Sequence, residues 1–149
     1  MSKIIFLDID GVLCTYKSHW ANCDGMMMRD WDSESCKILK KICISNQVKL
    51  VISSTWRFDR HQEDFNTEYA KHFPGSLLHD DWRTKSLFKT RGHEIEEWLS
   101  RHPEVTKYRI IDDDTDFLES QKQYHTWTTM ADGITYQQLT ILNKYFEDI

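Results

Sequence analysis

Two aspartates one residue apart, Asp8 and Asp10, follow the apolar run Ile4-Ile5-Phe6-Leu7, and Gly11-Val12-Leu13 comes directly after them. An apolar run without polar alternation reads as a central strand buried on both faces. Carboxylates do not belong inside such a strand, so both acids must lie where it emerges. Side chains two apart on extended backbone point to the same side, so the two carboxylates can face one small volume. Like charges held that close are costly unless a cation or a shared proton relieves them. Gly11 lets the chain turn sharply, or lets a ligand approach the backbone. The chemistry that suits this pattern is metal-assisted catalysis.

Two later stretches have the same form. The run Lys49-Leu50-Val51-Ile52 ends in Ser53-Ser54-Thr55-Trp56-Arg57, and Tyr108-Arg109-Ile110-Ile111 ends in Asp112-Asp113-Asp114-Thr115-Asp116. One polar strand end is an ordinary cap or turn. Three in one chain point to a shared site, because ligands of an open parallel sheet bind in the crevice beyond the carboxyl ends of its strands. Asp114 and Asp116 read as solvated or capping acids, and Trp56 reads as core.

The elements that must position these ends follow from periodicity. Asp32 or Ser33 opens a helix to about Ser45, with Ile38, Leu39, Ile42 and Cys43 on one face. Strand, helix, strand is a βαβ unit, so the first two strands are expected to be parallel with a right-handed crossover. Phe65, Tyr69 and Phe73 form a helical stripe between Arg60 and Phe73, which Pro74-Gly75 ends. The stretch from Ser76 to Lys89 reads as irregular, with Asp80, Asp81, Trp82 and Arg83 in a loop. A helix after His93 buries Ile95, Trp98 and Leu99 and stops before Pro103. A strand is expected around His125 to Thr129. A last helix starts at Thr135, with Gln138 completing a capping box and Leu139, Leu142 and Phe146 facing inward. Residues 15–31 show no period and read as a small flap over the strand end.

The chain's 149 residues suit one domain with a real core. A net charge of −5 argues against a generic nucleic-acid coat but allows a local basic site. The short apolar start, interrupted by acids, is neither a signal peptide nor a membrane span, and no membrane partner is expected. Cys14, Cys23, Cys36 and Cys43 lack both CxxC spacing and the density of a disulfide scaffold. They read as free thiols in a reducing cytoplasm, and their spacing with His19 or His61 is poor for zinc; a phage or bacterial cytoplasm would suit the protein.

Asp8-Ile9-Asp10-Gly11-Val12, Ser53 after Val51-Ile52, a basic residue before a helix, and Ile110-Ile111-Asp112-Asp113 resemble, in order, the four motifs of the haloacid dehalogenase (HAD) phosphohydrolases. A closer resemblance is to the HAD domain of Swiss-army-knife RNA repair proteins. It rests on Ser53-Ser54-Thr55-Trp56-Arg57, on Arg91-Gly92-His93-Glu94-Ile95-Glu96-Glu97-Trp98-Leu99, and on the tail Asp132-Gly133-Ile134-Thr135. The resemblance implies an α/β fold, a Rossmann-like three-layer sandwich around a central parallel sheet with a minimal cap or none.

It also implies roles. Asp8 would be the nucleophile that forms an aspartyl-phosphate, and Asp10 the general acid and base. Asp113 would join Asp8 and the Asp10 backbone carbonyl around Mg²⁺, with Asp112 in support; hard oxygen ligands favour Mg²⁺ over zinc. Ser53 would bond a phosphoryl oxygen, with Ser54 as the alternative register, and Gly11 would let the phosphoryl group approach. A cation that offsets the phosphoryl charge completes the set. The family places a lysine there, whereas alignment on Gly92 gives Arg91, with Lys89 two residues earlier as the other candidate. Arg57 is either a second phosphate clamp or a surface ion-pair partner.

The stretch between the first two motifs is too short for a large cap once a helix of about 12 residues is allowed. The interval from Ser54 to Arg91 is likewise filled by about one helix and a loop. An open site admits bulky substrates, so the expected substrate is a phosphorylated nucleic-acid end, with a free nucleotide or another small phosphoester as the alternative. A phosphate-binding module without turnover, and a phosphotransferase, are the other classes. A stand-alone phosphatase with no obligate protein partner is expected.

Overall fold

The computed structural model describes residues 2–16, 18 and 30–147. Among these, five strands form one sheet in the order β3-β2-β1-β4-β5, with every pairing parallel. The strands are β1 (Ser2–Leu7), β2 (Val48–Ile52), β3 (Leu78–Arg83), β4 (Val105–Asp112) and β5 (His125–Trp127). The helices are α1 (Ser33–Asn46), α2 (Gln62–His72), α3 (Arg91–Ser100) and α4 (Tyr136–Phe146).

β1 lies at the centre because its residues are apolar on both sides. Ile5 and Leu7 join Leu39 and Ile42 of α1, Phe65 and Tyr69 of α2, and Leu142 and Phe146 of α4 in one core. Ile4 and Phe6 point the other way, into a second core with Val51, Ile110, and Ile95 and Trp98 of α3. The alternation of one strand thus divides the protein into three layers, with α1, α2 and α4 below the sheet and α3 above it. Trp98 is fully buried, stands edge-on to Phe6 and donates its indole N–H to the Asp81 carbonyl. That satisfies the one polar atom that burial would otherwise strand.

The caps match the sequence. Asp32 accepts from the Ser35 N–H to open α1, and Thr135 with Gln138 forms the capping box of α4. The stripe Phe65, Tyr69, Phe73 is buried as read from its spacing. One element differs from expectation: residues 78–83, read as a loop, form strand β3. It lies at the sheet edge, pairs on one side only with β2, and is half-buried along most of its length. An edge strand needs no continuous apolar run, and charge at an edge discourages further pairing; Asp80, Asp81 and Arg83 therefore conceal the strand. The flap expected at residues 15–31 falls mostly on residues 17 and 19–29, outside the described residues. No helix among the described residues is long and apolar enough to cross a membrane. Cys14, Cys36 and Cys43 are buried free thiols, and Cys23 lies outside the described residues.

Candidate active site

Sheet register brings the three polar strand ends together. Leu7 pairs with Ile52 on one side and with Ile111 on the other. The next residues, Asp8, Ser53 and Asp112, are therefore neighbours across three adjacent strands. The ladder continues through them, with the Asp8 N–H on the Ile111 carbonyl at 3.0 Å and the Ser53 N–H on the Leu7 carbonyl at 3.1 Å. β1 and β4 flank the place where the strand order reverses, the crevice in which such sheets bind ligands.

Arg91, the first residue of α3, reaches into this crevice. Its Nη1 lies 2.6 Å from Asp112 Oδ2 and 3.3 Å from Asp8 Oδ1. Asp112 has no solvent exposure, and its other oxygen accepts the Asp114 N–H at 2.9 Å. Arg91 is fixed from behind, since its own N–H donates to Asp116 Oδ2. Asp116 thereby serves the start of α3. Burial alone would lower the Arg91 pKa, but Asp8 and Asp112 outweigh it and hold the guanidinium charged. Lys89 lies exposed in the preceding loop.

Asp8, Asp112 and Asp113 place one carboxylate oxygen each within 4.8 Å of one another. Burial first, and then the Asp112 charge, push the Asp8 pKa up to about 9, while Arg91 opposes the shift. Asp113 is also raised, chiefly by burial. Three crowded carboxylates with one arginine on two of them leave a deficit of positive charge, and their hard oxygens could hold a divalent cation of the Mg²⁺ type. Gly11 fits the same picture. It sits at φ +83°, and a Cβ on it would lie 2.3 Å from Asp113 Oδ2. Only glycine lets this turn pass so close to the third carboxylate.

Asp10 faces a different neighbour. The Trp56 indole N–H lies 3.3 Å from both of its carboxylate oxygens. Burial raises the Asp10 pKa, and the Trp56 hydrogen bond works against that. Trp56 is core, as its type suggested, but its one polar atom is turned to the second aspartate. The sequence signal was its position at a polar strand end.

The two serines behave differently. Ser54 Oγ accepts the Trp56 N–H and caps the short helical turn Thr55–Arg57. Ser53 Oγ is buried and has no hydrogen-bond partner among the described residues. Thr84, just beyond β3, donates its N–H to the Ile52 carbonyl, and its hydroxyl is likewise buried without a partner. Sequence reading missed it because β3 itself was not recognised.

Arg57 is neither exposed nor open to the crevice. It donates from Nε to the Thr84 carbonyl, from Nη1 to the Ser53 and Ser54 carbonyls, and from Nη2 to Glu94 Oε1 at 3.1 Å. Its carboxylate partner is buried in α3 rather than on the surface, and Glu94 also accepts the Leu87 N–H. The pair ties the ends of β2 and β3 to the helix that carries Arg91. On the other side, Thr128 Oγ1 donates to the Gly11 carbonyl at 2.7 Å and Trp127 Nε1 to the Asp113 carbonyl at 2.8 Å. Nothing in the local sequence marked those two contacts.

A parallel three-layer α/β fold with carboxylates and a serine at adjacent strand ends, and an arginine reaching them from the start of a helix, is of the HAD/Rossmann-like class. Within it, residues 4–139 match the family described as the HAD domain in Swiss Army Knife RNA repair proteins, and the chain belongs to that family. No curated protein and no solved structure matches the chain.

Proposed function

We propose that this protein is a Mg²⁺-dependent phosphomonoesterase that removes a terminal phosphate from a nucleic-acid end. The observation that carries the reading is the in-register row Asp8, Ser53, Asp112, in which Arg91 bridges the two aspartates and the buried serine hydroxyl has no partner among the described residues. A phosphoryl group supplies what that hydroxyl and that arginine lack.

An Asp8 carboxylate oxygen attacks phosphorus, the bond from phosphorus to the ester oxygen breaks, and the Asp10 carboxyl gives its proton to the departing oxygen. Asp10, now ionised, takes a proton from water as the water oxygen attacks phosphorus. Asp8 is released and inorganic phosphate leaves. A raised Asp10 pKa suits the first half of this cycle, because the group must arrive protonated. Ser53 and Arg91 hold the phosphoryl oxygens as charge builds on them. Asp8, Asp113 and the Asp10 carbonyl, with Asp112 in support, would hold Mg²⁺, which when bound neutralises charge between nucleophile and phosphoryl group. Between Ser54 and Arg91 the chain forms α2 and β3, both parts of the sandwich itself. That supports a site open on this side to a bulky substrate.

The test is phosphate release with Mg²⁺ from 3′-phosphorylated and 5′-phosphorylated oligonucleotides and a nucleotide panel. Release from one oligonucleotide end, abolished in Asp8→Asn, is expected. Release from nucleotides alone would move the substrate to small molecules. No release from any of them, or full activity in Asp8→Asn, overturns the proposal.

A further inference from the structure

Trp127 closes β5 with its side chain 63 % exposed, a costly position for the largest aromatic. It is not loose there. Its indole N–H is held on the Asp113 carbonyl at 2.8 Å, so the ring is oriented by the same residue that supplies the third carboxylate. Beside it runs a groove of about 190 Å³, lined by Trp127, Thr128, Thr129, Asp132, Gln137 and Gln138. The groove adjoins the turn that follows Asp10, because Thr128, one of its lining residues, donates to the Gly11 carbonyl.

We infer that Trp127 is a stacking platform for the nucleobase of the nucleotide that carries the cleaved phosphate; this rests on the reading of Asp8 as nucleophile. An oriented, exposed indole offers a π-face to any base and is tolerant of its identity. The hydroxyls, amides and single carboxylate of the groove offer donors and acceptors to a base edge. They carry no positive charge for a second phosphate and too little apolar surface for a lipid. The Trp127 N–H bond to the Asp113 carbonyl and the place of the Asp113 carboxylate beside Asp8 put the ring on the Asp113 side of the crevice, where a group attached to a phosphoryl at Asp8 would find it. Trp127 is thus a specificity residue, and a base-free phosphoester forgoes its contribution.

The probes are 3′- and 5′-phosphorylated oligonucleotides whose terminal residue is either an adenosine or an abasic site. The wild type is expected to favour the base-bearing end by about 5- to 150-fold in kcat/KM, chiefly through KM, the range that stacking on one aromatic gives. Trp127→Ala should bring that ratio close to one, and Trp127→Phe should keep part of it. An equal fall on both substrates would show that Trp127 only supports Asp113, and would overturn the inference, as would a wild type that does not discriminate. Binding of the same four oligonucleotides to the Asp8→Asn protein, with and without Trp127→Ala, separates the two readings. If no end is hydrolysed, the phosphatase proposal fails. The platform then stands only if binding still prefers the base-bearing end and loses that preference with Trp127.

Discussion

Replacing Glu94 by alanine should be among the most damaging single changes outside the carboxylate cluster. The Arg57 and Glu94 side chains retain only 3 % and 9 % of their exposure, so water screens the pair poorly. Burial already lowers the Arg57 pKa, and Glu94 is the main influence opposing it. Alanine leaves a guanidinium buried and unpaired, and the Leu87 N–H loses its acceptor. Removing one partner of a buried pair costs about 3–5 kcal/mol, a large share of the roughly 5–15 kcal/mol that holds a domain together. With a urea slope of about 2 kcal/mol/M, the midpoint should fall by about 1.5–2.5 M.

Arg57→Met should cost about as much as Glu94→Ala, because the Ser53 and Thr84 carbonyls lose the Arg57 side-chain donor while Glu94 stays buried without its partner. The double variant Arg57→Met/Glu94→Ala should be less damaged than the sum of its parts, since no buried charge remains. The Ser53 and Thr84 carbonyls keep it short of full recovery. The measurement is equilibrium urea unfolding followed by circular dichroism and Trp fluorescence on all four proteins. A Glu94→Ala cost under about 1 kcal/mol, the scale of an exposed pair, or strict additivity in the cycle, would refute the reasoning.

Gly11→Ala should cost about 1–2 kcal/mol for its left-handed backbone. It should also displace Asp113, so the Mg²⁺ concentration needed for half-maximal activity rises, and an unchanged Mg²⁺ titration would count against the cluster as a metal site. Trp56→Phe keeps the ring but removes the N–H from Asp10. The Asp10 pKa should climb further, the kcat–pH profile should move to higher pH and kcat should fall about tenfold with little change in KM; an unmoved profile would remove Trp56 from the mechanism. Stability should also depend on pH. Asp8, raised to about 9, binds its proton more tightly folded than unfolded, where its pKa is about 3.9. Its contribution is complete below about pH 4 and is lost as pH climbs towards 9. In EDTA the urea midpoint should therefore drop between about pH 5 and pH 8, and Mg²⁺, which favours the ionised carboxylates, should flatten that slope.

The central strands were legible because burial on both faces forces an unbroken apolar run, and Asp8, Ser53 and Asp112 stood out as the polar residues that ended each run. Register supplied the rest, since parallel pairing of Leu7 with Ile52 and Ile111 sets the next residues side by side. β3 was illegible for the converse reason. An edge strand paired on one side keeps its polar residues, so its sequence does not differ from a loop's. The buried partner of Arg57 was hidden as well, because Glu94 lies on a different element and only the packing of α3 against the sheet brings the two together. Trp127 carried no signal of its own: its place beside Asp113 follows from the pairing of β5 with β4.

The electrostatics of the crevice argue that the fold holds it in an unfinished state. Arg91 is shared between Asp8 and Asp112, so neither carboxylate has a cation to itself. Asp113 sits beside them, and its pKa rises through burial first and the Asp112 charge as well. Ser53 offers a hydroxyl that no group among the described residues meets. Each of these is a local cost, and the buried apolar layers above and below the sheet carry it. A divalent cation relieves the carboxylates but does nothing for Ser53 or for the far side of Arg91. A phosphoryl group satisfies those two but adds negative charge that the carboxylates oppose. Only the two together complete the site. Binding of a phosphorylated end and of Mg²⁺ should accordingly be cooperative, each tightening the other by the same factor.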